Sequence, residues 1–547
     1  MGNLLKLEKI LLILITVFAF GLRIYKLDKV PPSLYWDETA MALDAKTISL
    51  TGRDQHGNSW LQPIFPSWGD YKLPGYIISA APFFMVIKNN PELAIRLPSA
   101  LAGTLTVLVI YFLTKEFFNN FTSEESSNAT SEVLALTASL LLTISPWHLQ
   151  FSRAAFEANL ALFFNTLSLL FFLKSNKRKF FLLPGSILAI LGIYTYYASR
   201  IVMPFIFIAA LLLLFNKTVK SKTLIVYLLF GLSILLLALP LKFSYLSAKA
   251  EQFRLSTKNI FSNPVVISYS TNLFLADGNS FWAKKIHNRF IYKAKELLTH
   301  LFDHLSLNFL ILSGDSNLRH STTGIGVLLL AGFIGLIFGE FYLWQNSKKL
   351  FVFLNSSLLI CFLPASATYE IPHSLRSLNA VVFINIISAY GLIQLFGLIK
   401  NKKSLLFAFC FLLFAQFIFY LHDYYVHYPQ RSYFAWQGGY KEAVKKVSEE
   451  WNRADKIILT NYYWRPYLYF LLYTDYPLKD FQIKRQELLS KNPLNYEETR
   501  EIGKIEFRQP QKEDTLLPNT LIIKENNDFF LEKGIELNSA FYIWKNY

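Results

Sequence analysis

Apolar runs close to the length of a membrane span recur through the first 424 of 547 residues, for example at 10–22, 224–239 and 405–421. A helix needs ~20 mostly apolar residues to cross a bilayer. Inside hydrocarbon, backbone N–H and C=O groups must pair within the segment, so such runs fold as helices. Composition agrees: 53% of residues are hydrophobic and only 17% charged, against about 25% charged in ordinary soluble domains. One soluble domain is excluded, and the pattern predicts a polytopic α-helical membrane protein.

Eleven stretches fit as spans: 9–25, 95–115, 132–148, 155–173, 180–197, 201–215, 223–243, 322–344, 350–365, 376–398 and 404–423. The first follows Lys6 and Lys9 and has no small-residue cleavage site after it, so it reads as an uncleaved span rather than a signal peptide. A twelfth stretch, 73–88, is shorter and holds two prolines.

Charge placement decides what that stretch does. Residues 1–424 hold 36 Lys/Arg against 21 Asp/Glu, and the tail 425–547 holds 18 against 17. Twelve of the basic residues sit at Lys174, Lys177, Arg178 and Lys179, at Lys217, Lys220 and Lys222, at Lys348 and Lys349, and at Lys400, Lys402 and Lys403. If 73–88 does not cross, all four clusters face the cytoplasm, as the positive-inside rule requires; if it crosses, all four face outward. The first reading predicts a cytoplasmic N-terminus and an extracytoplasmic tail in the cell membrane, with 73–88 along the outer surface. The net charge of +16 then reports sidedness, not a nucleic-acid partner.

The organisation expected is a transmembrane domain over 1–424, with large outer loops at 26–94 and 244–321, and an extracytoplasmic α/β domain over 425–547. The first loop is rich in Trp, including Trp36, Trp60 and Trp68, which suits an interface. In 281–301, Phe281, Trp282, Ile286, Phe290, Ala294, Leu297, Leu298 and Leu301 recur at helical spacing with basic residues on other faces. That predicts a helix on lipid headgroups or one gripping an anionic lipid. In the tail, 440–451 reads as a helix, 456–460 and 520–524 as strands, and 467–473 as helix or strand. Cys361 and Cys410 both lie in apolar runs and form no disulfide framework.

The residues able to do chemistry fall in the outer segments. Asp37 and Glu38 follow the first span in an aromatic, Pro-bounded setting. A carboxylate there can act as a general base on a hydroxyl; the same pair is also an ordinary signal for a helix start. Asp70 and Lys72 precede Pro74, and Lys72 can hold a phosphate or simply snorkel to the interface. Arg153, Arg200, Arg319, His320, His373 and Arg376 stand at outer ends of expected spans. Arginine suits phosphate because its planar fork donates two hydrogen bonds at once. Cations on one face with one acidic pair favour an anionic, phosphorylated ligand. His148, His320 and His373 show no HxxxH or HExxH spacing, so no metal site is expected, although Asp37 and Glu38 could touch a divalent ion. There is no P-loop, no GxGxxG, no GxSxG and no placed nucleophilic cysteine. A transporter more often carries charge at mid-span.

These segments together resemble the membrane glycosyltransferases of the C-type fold, specifically glycosyltransferase family 39 and its bacterial relatives, which include the protein O-mannosyltransferases and the aminoarabinose transferases of lipid A. The resemblance covers about 1–430. It is carried by Leu34-Tyr35-Trp36-Asp37-Glu38, Gly52, His56-Gly57, Gly69-Asp70-Tyr71-Lys72-Leu73-Pro74, the run from Arg96 to Gly103, Ser145-Pro146-Trp147-His148 and Ser152-Arg153. Later come Gly314-Asp315, Arg319-His320, Pro364-Ala365-Ser366 and His373-Ser374-Leu375-Arg376. The resemblance adds the C-type fold to the about eleven membrane helices and small outer α/β domain read from the residues. It implies transfer of a sugar from a polyprenyl-phosphate carrier to an acceptor lipid, glycan or protein at the outer face, inverting the anomeric centre; the sequence itself calls for no cofactor. It assigns the family's acidic residue to Asp37, with Glu38 beside it, and the carrier-phosphate lysine to Lys72, in a differing Tyr-Lys-Leu-Pro context. Arg200, Arg319, His320, His373 and Arg376 follow by motif order. The competing classes are a polyprenyl-lipid flippase and an oligosaccharide ligase or polymerase.

Overall fold

A computed structural model describes residues 2–67, 70–121, 128–214, 221–243, 260–262, 264–491, 499–526 and 535–546. Trp68, Gly69, Lys217, Lys220, most of the Ser/Glu-rich patch at 122–132 and the start of the second outer loop lie outside the described residues.

Each of the eleven apolar stretches is met by a helix. Five described helices are long and apolar enough to cross a membrane: Pro91–Asn119, Glu157–Lys174, Lys348–Ser366, Ala380–Ile399 and Lys403–Arg431. A sixth is counted if Ser131–Ile144 and Pro146–Ser152, bent by 60° at the junction, form one span. The bend falls where Pro146 removes a backbone donor. Others are shorter: Leu182–Thr195, with 14 residues, reaches only about 21 Å at 1.5 Å per residue. The stretch 73–88 forms the helix Pro74–Val86 of 13 residues, opened by proline at its first turn and too short to span. The chain is a multi-pass membrane protein.

Contacts divide the chain into two compact units. The first holds residues 1–25, 99–152 and 156–424. Its tightest helix pair is Leu330–Asn346 against Ala380–Ile399. A Cβ on Gly391 would fall 1.9 Å from the Gly335 carbonyl oxygen, and one on Gly339 would fall 2.1 Å from the Ile387 carbonyl oxygen. Only glycine permits that approach; small residues four apart are how helices pack where lipid supplies no hydrophobic drive between them. Asn165 Nδ2 bridges Ser199 Oγ and Asn379 Oδ1, both at 3.0 Å. On the last helix, Phe407, Phe411, Leu412, Phe414 and Phe419 stay exposed, as a lipid-facing surface requires. The stretch 281–301 is two helices, Phe281–Ile286 and Arg289–Asp303. They part at Asn288, whose side chain caps the second by accepting from the Phe290 amide.

The second unit joins 26–98 and 153–155 to the tail 425–547. In the loop, the helix Trp36–Thr51 ends at Gly52 in the left-handed region, φ +70°. A hairpin follows, β1 (Phe65–Ser67) against β2 (Asp70–Lys72), with Phe65 opposite Lys72. The tail is α/β. Its sheet runs β4 (Glu501–Ile502), β5 (Ile505–Phe507), β3 (Lys456–Leu459), β6 (Thr520–Glu525), β8 (Phe541–Lys545), β7 (Ile535–Glu536). β5, β3 and β6 are parallel. The residues 467–473 belong to a helix, Pro466–Tyr473.

Loop and tail share one core. Ala40 and Leu43 of the loop helix pack with Tyr440, Val444, Tyr467 and Leu471 of the tail. Lys46 Nζ donates to the carbonyls of Leu471, Leu472 and Thr474 at 2.9–3.2 Å, which satisfies the C-terminal carbonyls of the helix Pro466–Tyr473 with a positive charge. Glu92 Oε1 accepts from Lys441 Nζ at 2.7 Å and from Tyr473 OH at 2.9 Å.

Candidate functional site

Asp37 lies in the first turn of the helix Trp36–Thr51, and Lys72 ends β2. The hairpin carries the lysine back to the helix start, and Lys72 Nζ donates to Asp37 Oδ1. The two side chains are unequally open: 6% of Lys72 is exposed and 27% of Asp37. Lys72 is therefore buried and directed, not snorkelling. Its positive charge also acts on Asp44, two turns further along the helix.

Glu38, next in sequence, has a separate environment. It is fully buried and forms a two-pronged pair with Arg96, Nε to Oε1 and Nη2 to Oε2, each at 3.1 Å. Its Oε1 also accepts from the Ala155 amide at 2.7 Å. Arg96 Nη1 donates to the carbonyls of Leu27 and Pro31, and Nη2 to that of Ser33. One buried pair thus ties the segment after the first span to the residue that follows Arg153 and Ala154. Arg153 is buried, donates to the Val30 carbonyl at 3.0 Å and covers the Tyr425 ring at 5.0 Å. Asp70 opposes Ser67 in the hairpin. The sequence signal for Arg96 is a charged residue two positions before Pro98, next to the apolar stretch of its helix.

The loop holds a second acidic pair. Asp54 Oδ1 accepts from the amides of His56 and Asn58, and Oδ2 from Asn58 Nδ2 and Gln62 Nε2, at 2.8–3.1 Å. Burial nevertheless raises its pKa. Asp44 takes the Gln55 amide at 3.0 Å, and burial first, then the nearby Asp54, push its pKa well up. His56, buried and facing Arg485, is lowered to about 3. The sequence signal was the seven-residue spacing of Asp37 and Asp44, which puts both on one helix face.

The other predicted residues belong to the first unit. Arg200 stacks on Tyr197 at 4.5 Å. The Arg319 carbonyl accepts from Gln150 Nε2 at 2.8 Å. Arg376 donates to Thr368 Oγ1 at 2.6 Å and Glu370 Oε2 at 3.4 Å. His320 and His373, 53 residues apart, have ring centroids 4.8 Å from each other, and Asp315 joins them. His320 Nδ1 is 3.0 Å from Asp315 Oδ2. Burial pushes the Asp315 pKa up, but the His320 bond and the two imidazoles pull it below the usual carboxylate range. Burial lowers His373 to about 3. Sequence spacing did not reveal this cluster, because two separate loops build it.

The structure aligns with the archaeal oligosaccharyltransferase AglB from Archaeoglobus fulgidus, solved with an inhibitory peptide and a dolichol-phosphate. The TM-score is 0.50 at 14% identity, over 95% of this chain and 69% of that one. It also aligns with ArnT from Cupriavidus metallidurans bound to undecaprenyl phosphate, at a TM-score of 0.49 and 11% identity over 98% of both chains. The AglB likeness identifies the fold as the C-type fold of membrane glycosyltransferases. Residues 74–242 match the family model described as dolichyl-phosphate-mannose-protein mannosyltransferase, which bears out the resemblance to glycosyltransferase family 39. No curated protein matches the chain in sequence.

Proposed function

We propose that this chain transfers a hexose or pentose from a polyprenyl-phosphate carrier to an acceptor hydroxyl at the outer membrane face, with inversion. The pairing of Asp37 with the buried Lys72 carries the reading. Asp37, the more open partner, takes the proton of the acceptor hydroxyl as its oxygen attacks the sugar's C1. The polyprenyl phosphate leaves with a second negative charge, and Lys72 meets that charge in a low-dielectric setting. Lys72 thereby exchanges Asp37 for phosphate when donor binds, which frees the carboxylate for base chemistry. A single base and no covalent intermediate fit inversion. Glu38 and Arg153, held by Arg96, Ala155 and Val30, position this loop. The family match and the lipid-phosphate seen with AglB support the donor class, and the four basic clusters support a cytoplasmic N-terminus and an outer tail.

The test is turnover of a lipid-linked sugar in proteoliposomes. Asp37→Asn is expected to lose ~10²–10⁴-fold in rate, and near-normal turnover would overturn the assignment. Lys72→Ala is expected to weaken donor binding; unchanged donor affinity removes it from the phosphate site. Flipping without a glycosylated product points to a flippase instead.

A further inference from the structure

We propose that Asp315, His320 and His373, all in the first unit, form a site for one divalent transition-metal ion of the Zn²⁺ class. One donor atom from each residue lies within 4.8 Å of the others, and all three residues are buried. In a tetrahedral zinc site with bonds of ~2.1 Å, ligand atoms stand about 3.4 Å apart. The longest separation closes onto an ion with a shift on the order of 1 Å. Two imidazoles and a carboxylate are the ligand set this ion takes, with a fourth position left for water.

The surroundings hold these groups in place. Asp315 Oδ2 accepts from the Ser374 amide and the Ser374 hydroxyl, both at 2.9 Å, and Oδ1 accepts from the Asn317 amide at 2.9 Å. Three donors outside the ligand set thus fix the carboxylate, the role of outer-sphere partners at metal centres. The His320 ring packs against the Phe151–Phe156 pair, with centroids at 5.8 and 5.9 Å. The contacts of His373 are loose by hydrogen-bond standards: 3.4 Å from Nδ1 to the Arg376 amide nitrogen and 3.5 Å from Nε2 to Glu370 Oε2. Ordinary N–H···O bonds are shorter. The Glu370 side chain is 72% exposed, so the cluster has an approach from solvent and a second carboxylate near it. A bound ion would pin the loop holding Asp315 and His320 to the loop holding His373 and Ser374.

The full-length protein, purified in detergent, would be stripped with chelator, reloaded with Zn²⁺, desalted and assayed for metal by elemental analysis. About one ion per chain is expected in the wild type, with a drop of fivefold or more in His320→Ala and His373→Ala. No retained ion in the wild type, or equal content in both variants, overturns the site in favour of a simple His–Asp pair. If the alanine variants fail to fold, Co²⁺ loading of the wild type and of His373→Gln decides. Intense visible bands of tetrahedral Co²⁺, lost in the variant, support the site. Weak octahedral bands in both overturn it. Neither readout depends on transferase activity.

Discussion

Gln437 Oε1 accepts the backbone amide of Trp36 at 2.8 Å, across 401 residues of sequence. Trp36 opens the helix whose first turn carries Asp37, and Tyr35 before it provides no side-chain cap. Amides at a helix start have no partner within the helix, so the tail supplies one. Gln437→Leu is expected to cost about 1 kcal/mol of stability, as lost caps do. It should also lower kcat about tenfold while KM for the lipid donor barely moves, because misplacing the proposed base is a transition-state effect. Gln437→Glu keeps an acceptor and should recover most of the rate. Steady-state kinetics in proteoliposomes check this; a loss of stability with kcat unchanged would leave Gln437 with no part in placing Asp37.

The Arg96–Glu38 pair sets up a second expectation. Both side chains are fully buried, and removing one partner of such a pair costs ~3–5 kcal/mol, since the other charge stays buried alone. Arg96→Met should therefore sharply lower the unfolding temperature in detergent. Arg96→Lys should recover little, because an ammonium cannot reproduce the two-pronged geometry. The double variant Glu38→Gln/Arg96→Met should be more stable than Arg96→Met alone. A single variant within about 1 kcal/mol of wild type contradicts this account.

The membrane half was legible because length and apolarity act locally: a run long enough to cross has one backbone solution, and each stretch found its helix. The tail helix Tyr440–Glu450 and two of the tail's strands were legible from periodicity for the same reason. The site was legible only in its parts. Asp37 stood out by composition, but its meeting with Lys72 depends on a hairpin whose register puts Phe65 opposite Lys72, and register is not a local property. His320 and His373 stood out singly, but their meeting with Asp315 had no signal for a related reason, since spacing rules describe one segment and here two loops meet. The shared core of loop and tail had no signal either: Ala40 and Leu43 are too few to mark a buried face against residues about 400 positions away.

The glycine contact between Leu330–Asn346 and Ala380–Ile399 predicts strong position dependence. Gly391→Ala places a methyl group 1.9 Å from the Gly335 carbonyl oxygen and 2.3 Å from the Gly339 amide nitrogen, and backbone atoms cannot swing aside. Overpacking of this kind costs ~1–3 kcal/mol or more. Gly332→Ala, on the same helix as Gly335, meets nothing within 4 Å and should be neutral or mildly stabilising, as helix propensity favours alanine by about 1 kcal/mol. Thermal unfolding of the two variants side by side checks the contrast. Similar losses would show that the two helices do not approach as described.

His56 gives a pH dependence with a definite sign. Burial, reinforced by the Arg485 charge, lowers its pKa to about 3 in the folded protein, while the unfolded chain titrates near the ordinary ~6.5. Between those values the unfolded state binds a proton that the folded state does not. The stabilisation is therefore complete above about 6.5 and is lost as pH falls towards 3, at up to ~1.4 kcal/mol per pH unit. Asp44 and Asp54 have raised pKa values and act in the opposite sense, losing stability as pH rises past the unfolded carboxylate value. The total curve therefore mixes signs, and the comparison that isolates His56 is wild type against His56→Gln. Unfolding temperatures measured from pH 7 to 5 should fall more steeply for the wild type, by about one proton's worth of slope. Parallel curves would mean that His56 is protonated in the fold despite its burial.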